Sequence, residues 1–438
     1  MRCVSTRGHD TASLTEALQR GLARDGGLYV PAQWPRFAAA AFAGADSLAA
    51  VATRLLQPFF ADHVLADQVG AISAAAFNFP LPVIELRAPR TYLLELFHGP
   101  TGAFKDVGAR FLAEVLSRLR SPSAPPVTVL AATSGDTGSA VAAAFHRRPG
   151  FQVAILFPDG RVSARQAHLL SCFGDNVQSF AVQGSFDDCQ AMVKAAFADA
   201  DLQARCPLTS ANSISLGRLL PQAAYYAQVA LAHWQRHQRA LNFVIPTGNL
   251  GNGLAALYAR SMGLPVGEVV LATNANRVLP EFLASGNYQP RASIATLANA
   301  MDVGAPSNLE RLRALFASTA ELTQAVTAVS VTDAAIAARI RRFFADEGRA
   351  ICPHTAVAAE VLAGLREGGD QRDWCLVASA DPVKFESIVE PLIGQSLAVP
   401  PSLEHWLQRP ALATPIAATA AALRQQLLAR QGSAIIAE

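Results

Sequence analysis

Nowhere does the chain run through the ~20 uninterrupted apolar residues that a membrane-crossing helix needs. Its richest stretch, Ala38-Ala39-Ala40-Ala41-Phe42-Ala43, is far shorter. The opening Met1-Arg2-Cys3-Val4-Ser5 lacks an apolar secretory core, so a cytoplasmic protein with no membrane partner is expected. Charge is sparse and balanced: 16% of residues are charged, the net charge is +2, and no run of one sign occurs, which argues against a polyanionic partner such as nucleic acid. The cysteines Cys3, Cys172, Cys189, Cys206, Cys352 and Cys375 form no C-x-x-C pair and join no histidine at metal-ligand spacing. Neither disulfides nor a metal site is expected. No G-K-[ST] follows any glycine turn, so there is no P-loop.

What is present is apolar. Half of the 438 residues are hydrophobic, enough to fill the cores of two or three domains. Residues 1–85 read as a mainly helical N-terminal domain, with Thr11 or Ser13 as N-caps and Leu14, Ala17, Leu18 and Leu22 at helical spacing. Beyond it, short apolar strands alternate with helices: Tyr92 to Phe97, Val127 to Ala132, Gln152 to Phe157, Val177 to Val182, Asn242 to Ile245, Val269 to Thr273 and Cys375 to Ser379. That alternation predicts an α/β fold of mostly parallel sheets clothed by helices on both faces, with ligands beyond the carboxyl ends of strands. The break Ser121-Pro122-Ser123-Ala124-Pro125-Pro126 suggests a smaller unit, 123–224, inserted into a larger one made of 86–122 and 225–400. A C-terminal tail, 401–438, ends in a helix from Ala417 to Arg430.

Three segments carry chemistry. Lys105 stands in Glu95-Leu96-Phe97-His98-Gly99-Pro100-Thr101-Gly102-Ala103-Phe104-Lys105-Asp106, where one amine opens an apolar helix after a Gly/Pro/Thr turn. Desolvation and the positive end of a helix both disfavour an ammonium, so an amine there loses its proton readily and can attack an aldehyde. A lysine that merely starts a helix and reaches solvent would read the same way. The other two segments share a design of apolar strand, glycine turn and small-residue helix: Thr133-Ser134-Gly135-Asp136-Thr137-Gly138-Ser139 and Pro246-Thr247-Gly248-Asn249-Leu250-Gly251-Asn252-Gly253. Converging backbone N–H groups at a helix N-terminus make such a turn an anion cradle, although the same residues also build plain βα turns. Gly248, Gly251 and Gly253 reverse the dinucleotide spacing, even with Glu268 at the customary distance for a ribose contact, so a phosphate without a nucleotide fits better.

In combination these motifs resemble the threonine synthase family, in the tryptophan-synthase-β (fold type II) group of pyridoxal-phosphate enzymes. The likeness extends from Val4-Ser5-Thr6-Arg7-Gly8 and Asp25-Gly26-Gly27-Leu28-Tyr29-Val30-Pro31 through the three segments. It continues over Ser210-Ala211-Asn212-Ser213-Ile214-Ser215 with Arg218 and Asn299-Ala300-Met301-Asp302-Val303-Gly304-Ala305-Pro306-Ser307-Asn308 to Pro382-Val383-Lys384-Phe385-Glu386. It implies two three-layer αβα domains with the site in the cleft between them, and pyridoxal phosphate held by Lys105 as a Schiff base. Phe104, Asp136 and Ser379 would face the cofactor, and Gly248, Asn249, Leu250, Gly251 and Asn252 would cradle its phosphate. Ser134, Thr137, Asn212, Ser213 and Arg218 are implied to meet O-phospho-L-homoserine. From residues alone, Asn212 or Ser213 could instead cap a helix from Ile214 to Gln228, with Arg218 on its solvent face.

Several positions depart from the family pattern. Asp136 stands where many relatives have asparagine, and a carboxylate there needs protonation or a nearby cation. Asp381 stands in place of histidine, and Gly102 in place of leucine, which is expected to loosen packing beside the ring. His98 and His354 are weaker candidates for the site. The expected reaction is γ-elimination of phosphate and β-addition of water to give L-threonine, by a monomer or homodimer. A phospho-lyase or amino-acid dehydratase of the same fold group is the alternative, and a silent paralogue that binds a phosphorylated metabolite is a third.

Overall fold

A computed structural model describes residues 1–434. Ser13 caps the first helix, Leu14–Arg20, and exchanges hydrogen bonds with Glu16 in a capping box. The N-terminal region was expected to be mainly helical. It also carries an antiparallel sheet in the order Thr11–Ser13, Arg2–Ser5, Tyr29–Pro31, whose strands are too short to show an alternating pattern.

The large sheet has the order Thr327–Ser330, Val266–Thr273, Leu241–Pro246, Trp374–Ala378, Thr91–Glu95, Val83–Glu85, parallel except for its last strand. Both faces are covered. Phe243 and Ile245 pack into one core and Val244 into another, as the period of two in a strand requires. The second sheet, all parallel, runs Ala413–Ala417, Val177–Gln183, Phe151–Pro158, Val127–Ala132, Leu208–Ser210. Val129 and Ala131 face one side of it, Leu130 and Ala132 the other. The α/β reading with two helix-clothed parallel sheets therefore holds.

Two expectations need correction. The tail is more than helical: Ala413–Ala417 extends the second sheet beside Val177–Gln183, and helix Ala420–Ala434 packs on helix Phe186–Ala198. The end of the expected tail, 435–438, lies outside the described residues. The alternative of one helix from Ile214 to Gln228 does not form: the segment is three pieces, Leu216–Leu219, a 3-10 turn Leu220–Gln222 and Ala223–His237. Pro221 lacks the N–H that a continuous helix would need there. Among the described residues no helix is long and apolar enough to cross a membrane.

Candidate active site

The carboxyl ends of five parallel strands meet around one cavity of ≈ 400 Å³, a volume suited to a small molecule. Phe104 and Lys105 reach it after Thr91–Glu95, and Ser134, Asp136 and Thr137 after Val127–Ala132. Asn212, Ser213 and Arg218 follow Leu208–Ser210, Gly248, Asn249, Leu250, Gly251 and Asn252 follow Leu241–Pro246, and Ser379 follows Trp374–Ala378. All fourteen named positions thus line one space, joined by His354. His98 is engaged elsewhere, with Nε2 2.7 Å from Glu95 Oε2.

The lysine turn is closed by Asp106, whose carboxylate accepts from the Thr101 N–H at 2.9 Å and the Thr101 hydroxyl at 2.7 Å. The Phe104 N–H donates to the Ser379 carbonyl at 2.9 Å, tying the turn to the neighbouring strand end. These bonds set where helix Lys105–Leu119 begins, and Lys105 Nζ sits 4.4 Å from the centre of the Phe104 ring. Burial pushes the Lys105 pKa down to about 8, against the opposing pull of the Asp136 carboxylate. A neutral amine is therefore accessible at mildly basic pH.

Asp136 has the cation that its position demands. Lys384 Nζ lies 2.7 Å from Asp136 Oδ1, both side chains are almost wholly buried, and Nζ also donates to the Thr101 carbonyl at 2.8 Å. Burial alone would raise the Asp136 pKa, but the ammonium groups of Lys384 and Lys105 hold it well below the usual carboxylate range. Asp136 is ionised. Gln166 Nε2 adds a contact at 3.3 Å, and Gln166 Oε1 accepts from Asn299 Nδ2 at 3.0 Å.

Asp381, the departure nearby, accepts from the Val383 N–H at 2.9 Å and so caps the turn Pro382–Phe385 that carries Lys384. Gly102 does not loosen the packing as expected. A Cβ there would lie 3.0 Å from Leu403 Cδ1 and 3.3 Å from Asp381 Cβ, so the tail already fills that space.

The turn at 247–253 is different in kind. A Cβ on Gly248 would come within 2.7 Å of Met301 Cα, so only glycine lets the two loops approach. Leu250 takes a left-handed conformation, φ +64°, and helix Gly251–Ser261 starts without a side-chain cap. Its first N–H groups are left for a ligand. The Asn249 side chain is already committed: Nδ2 donates to Ser213 Oγ at 2.9 Å and Oδ1 accepts from the Ser307 N–H at 2.7 Å. Asn252 Nδ2 is buried with no partner.

Arg218 is buried, not on a solvent face. Its Nη1 donates to the Ala211 carbonyl at 2.8 Å, its Nε has no partner, and among the described residues no carboxylate pairs with it. Burial pushes its pKa down to about 10, so it remains a cation at neutral pH. An unpaired cation at such depth calls for an anionic ligand. His354 is also buried. Its Nε2 accepts from the Ala300 N–H at 3.1 Å, its Nδ1 is unpartnered, and burial pushes its pKa down to about 4, leaving a neutral donor.

These groups fit a phosphorylated aldehyde cofactor: an amine that gives up its proton, an uncharged cradle with spare donors, and a hydroxyl, Ser379, in the same cavity. They leave a second anion site at Arg218. Sequence reasoning assigned no role to Lys384 or Gln166, because nothing in Pro382-Val383-Lys384 marks a partner so far away in the chain. It also missed Arg20 and Leu22, which bring the N-terminal region to the cavity.

The pyridoxal-phosphate dependent enzyme family matches residues 77–380, and the threonine synthase N terminus family matches residues 2–77. Threonine synthase of Serratia marcescens is 37% identical over 98% of this chain and 99% of its own length. The crystal structure of threonine synthase from Escherichia coli superposes with a TM-score of 0.91 at 36% identity, covering 98% of this chain and 100% of that one. The PLP-bound threonine synthase from Brucella melitensis gives 0.89 at 32% identity, covering 98% and 99%. Fold, cavity and full-length likeness agree, and the chain belongs to the threonine synthase family of pyridoxal-phosphate dependent enzymes.

Proposed function

We propose that this cavity converts O-phospho-L-homoserine and water to L-threonine and phosphate. Bound pyridoxal phosphate supplies an electron sink for carbanions next to the substrate nitrogen. Lys105 would hold its aldehyde, the turn from Gly248 to Asn252 its phosphate, and Ser379 its ring nitrogen, with Phe104 and Asp136 beside the ring. A hydroxyl does not keep a ring nitrogen firmly protonated as a carboxylate does, so more of the work falls on the lysine and on the substrate's own phosphate. Lys105 Nζ takes protons from the α and β carbons, the electron pair left at Cβ expels phosphate from Cγ, and only then does Lys105 return a proton to Cγ. Arg218 forks onto the substrate phosphate, with Asn212, Ser213, Ser134 and Thr137 as neutral donors, and carries its charge as it leaves. Water then adds its hydroxyl at Cβ, its other proton and the one still held by Lys105 go to Cα and to the departed phosphate, and the cleft walls keep water out until that step. An ionised phosphorylated substrate crosses a bilayer poorly, which supports the cytoplasm as the place where the enzyme acts.

The observation that carries this reading is Arg218, a buried cation with no carboxylate partner among the described residues, in the same cavity as a separate uncharged cradle. The cofactor needs one phosphate site, and a dehydratase would need no second phosphate pocket. The test is a coupled assay on O-phosphohomoserine: one phosphate should appear per threonine, and none with Lys105→Ala. Ammonia release from serine or threonine without phosphate turnover would instead support the dehydratase.

A further inference from the structure

Two adjacent tyrosines on helix Ala223–His237 aim their hydroxyls at one atom. Tyr225 Oη lies 2.5 Å and Tyr226 Oη 2.8 Å from Asn252 Oδ1, and all three residues are buried. A carbonyl oxygen has two lone pairs, so both are occupied. The nitrogen of the same amide has no partner among the described residues, and Asn252 lines the cavity beside the Gly248 turn.

The donors are fixed in place. The two rings lie 4.7 Å apart, and Tyr226 packs edge-on against Phe243 at 5.1 Å. Burial pushes both phenol pKa values well above their ordinary value, so the hydroxyls remain protonated. The other neighbour of Tyr225, Gln222 Oε1 at 3.3 Å, is an acceptor, since Gln222 Nε2 donates to the Arg218 carbonyl at 2.8 Å. The nearer oxygen, on Asn252, takes the Tyr225 proton. Turning the Asn252 amide over would direct an oxygen lone pair at an anion.

We propose that Tyr225 and Tyr226 are positioning residues that lock the Asn252 amide with its NH₂ toward the cradle, making the site selective for a phosphorylated over an unphosphorylated cofactor. This rests on assigning the turn from Gly248 to Asn252 to the cofactor phosphate.

The test titrates cofactor-stripped full-length chain with pyridoxal phosphate and, separately, with pyridoxal, following the visible absorbance. Replacing both tyrosines with phenylalanine keeps the rings and should weaken pyridoxal phosphate roughly tenfold, the worth of one charge-assisted donor, with pyridoxal unchanged. Asn252→Ala should do the same, and adding the phenylalanines to it should cost nothing more. Asn252→Asp keeps both tyrosine bonds but faces the phosphate with charge, so it should lose more than Asn252→Ala. If Asn252→Ala loses the preference and the tyrosine variant does not, the positioning role fails while the turn assignment stands. Should Asn252→Ala leave the preference intact, Asn252 does not meet the phosphate and the proposal fails; no preference for pyridoxal phosphate in the unmutated chain would overturn the turn assignment itself. Equal weakening of both ligands by the tyrosine variant marks a general packing defect and overturns the proposal.

Discussion

The turns at 133–139 and 247–253 are built alike and behave as opposites. Each follows a parallel strand, opens a helix of small residues and faces the same cavity. Asp136 places a buried carboxylate in the first, and Lys384 neutralises it at 2.7 Å. The second carries no charge, and its spare donors await an anion. Strand-turn-helix grammar therefore builds a site near a helix N-terminus, and one side chain decides whether that site is already occupied from within.

Removing the internal anion should have the largest effect. Asp136→Asn leaves Lys384 buried and unpaired, and unfolding stability should fall by about 3–5 kcal/mol in urea titrations. Adding Lys384→Met should recover much of it, and an equal loss in the double variant would show that the pair does not matter. Arg218→Ala makes the opposite case, because among the described residues that cation has no carboxylate partner. Stability should fall less than in Asp136→Asn, while kcat/KM for O-phosphohomoserine drops roughly 100-fold, about the worth of a lost bidentate contact to a charged group. Unchanged turnover would remove the phosphate role from Arg218.

The cradle can be probed by steric means. Gly248→Ala forces a Cβ against the Met301 backbone and should cost about 1–3 kcal/mol in thermal unfolding. Gly251, where a Cβ meets nothing within 4 Å, should tolerate alanine with little loss of stability. Equal effects at the two glycines would contradict the close approach of the 248 and 301 loops.

The smallest effect is a shift in pH. Because the Lys105 pKa is lowered to about 8, the reactive neutral amine is present above that pH and lost below it. Aldehyde capture by the cofactor-free chain should rise through about pH 8 and then level off. Asp136→Asn removes a carboxylate that favours the ammonium, so its midpoint should move lower. A midpoint near the free-lysine value of ~10.4 would mean that Lys105 is solvated.

Periodicity located the central strands well, since a strand buried on both faces is a continuous apolar run between turns: Val127–Ala132 has the expected bounds. Leu208–Ser210 and Ala413–Ala417 went unseen. The first is three residues long and the second alternates poorly, and both exist as strands because an open sheet edge accepted them. The alternative of one helix from Ile214 to Gln228 takes no account of Pro221, which breaks the segment into pieces.

Local chemistry written in neighbouring residues was determined by the sequence alone: a lysine at a helix start, glycine turns that gather N–H groups, and a length and apolar content sufficient for several cores. Pairing across the chain was decided only by the tertiary structure. Lys384 reaches Asp136, two tyrosines reach Asn252, Leu403 fills the space at Gly102, and among the described residues no carboxylate pairs with Arg218. Burial makes each of these costly or valuable, and burial depends on which strands lie side by side, a property that no single segment contains.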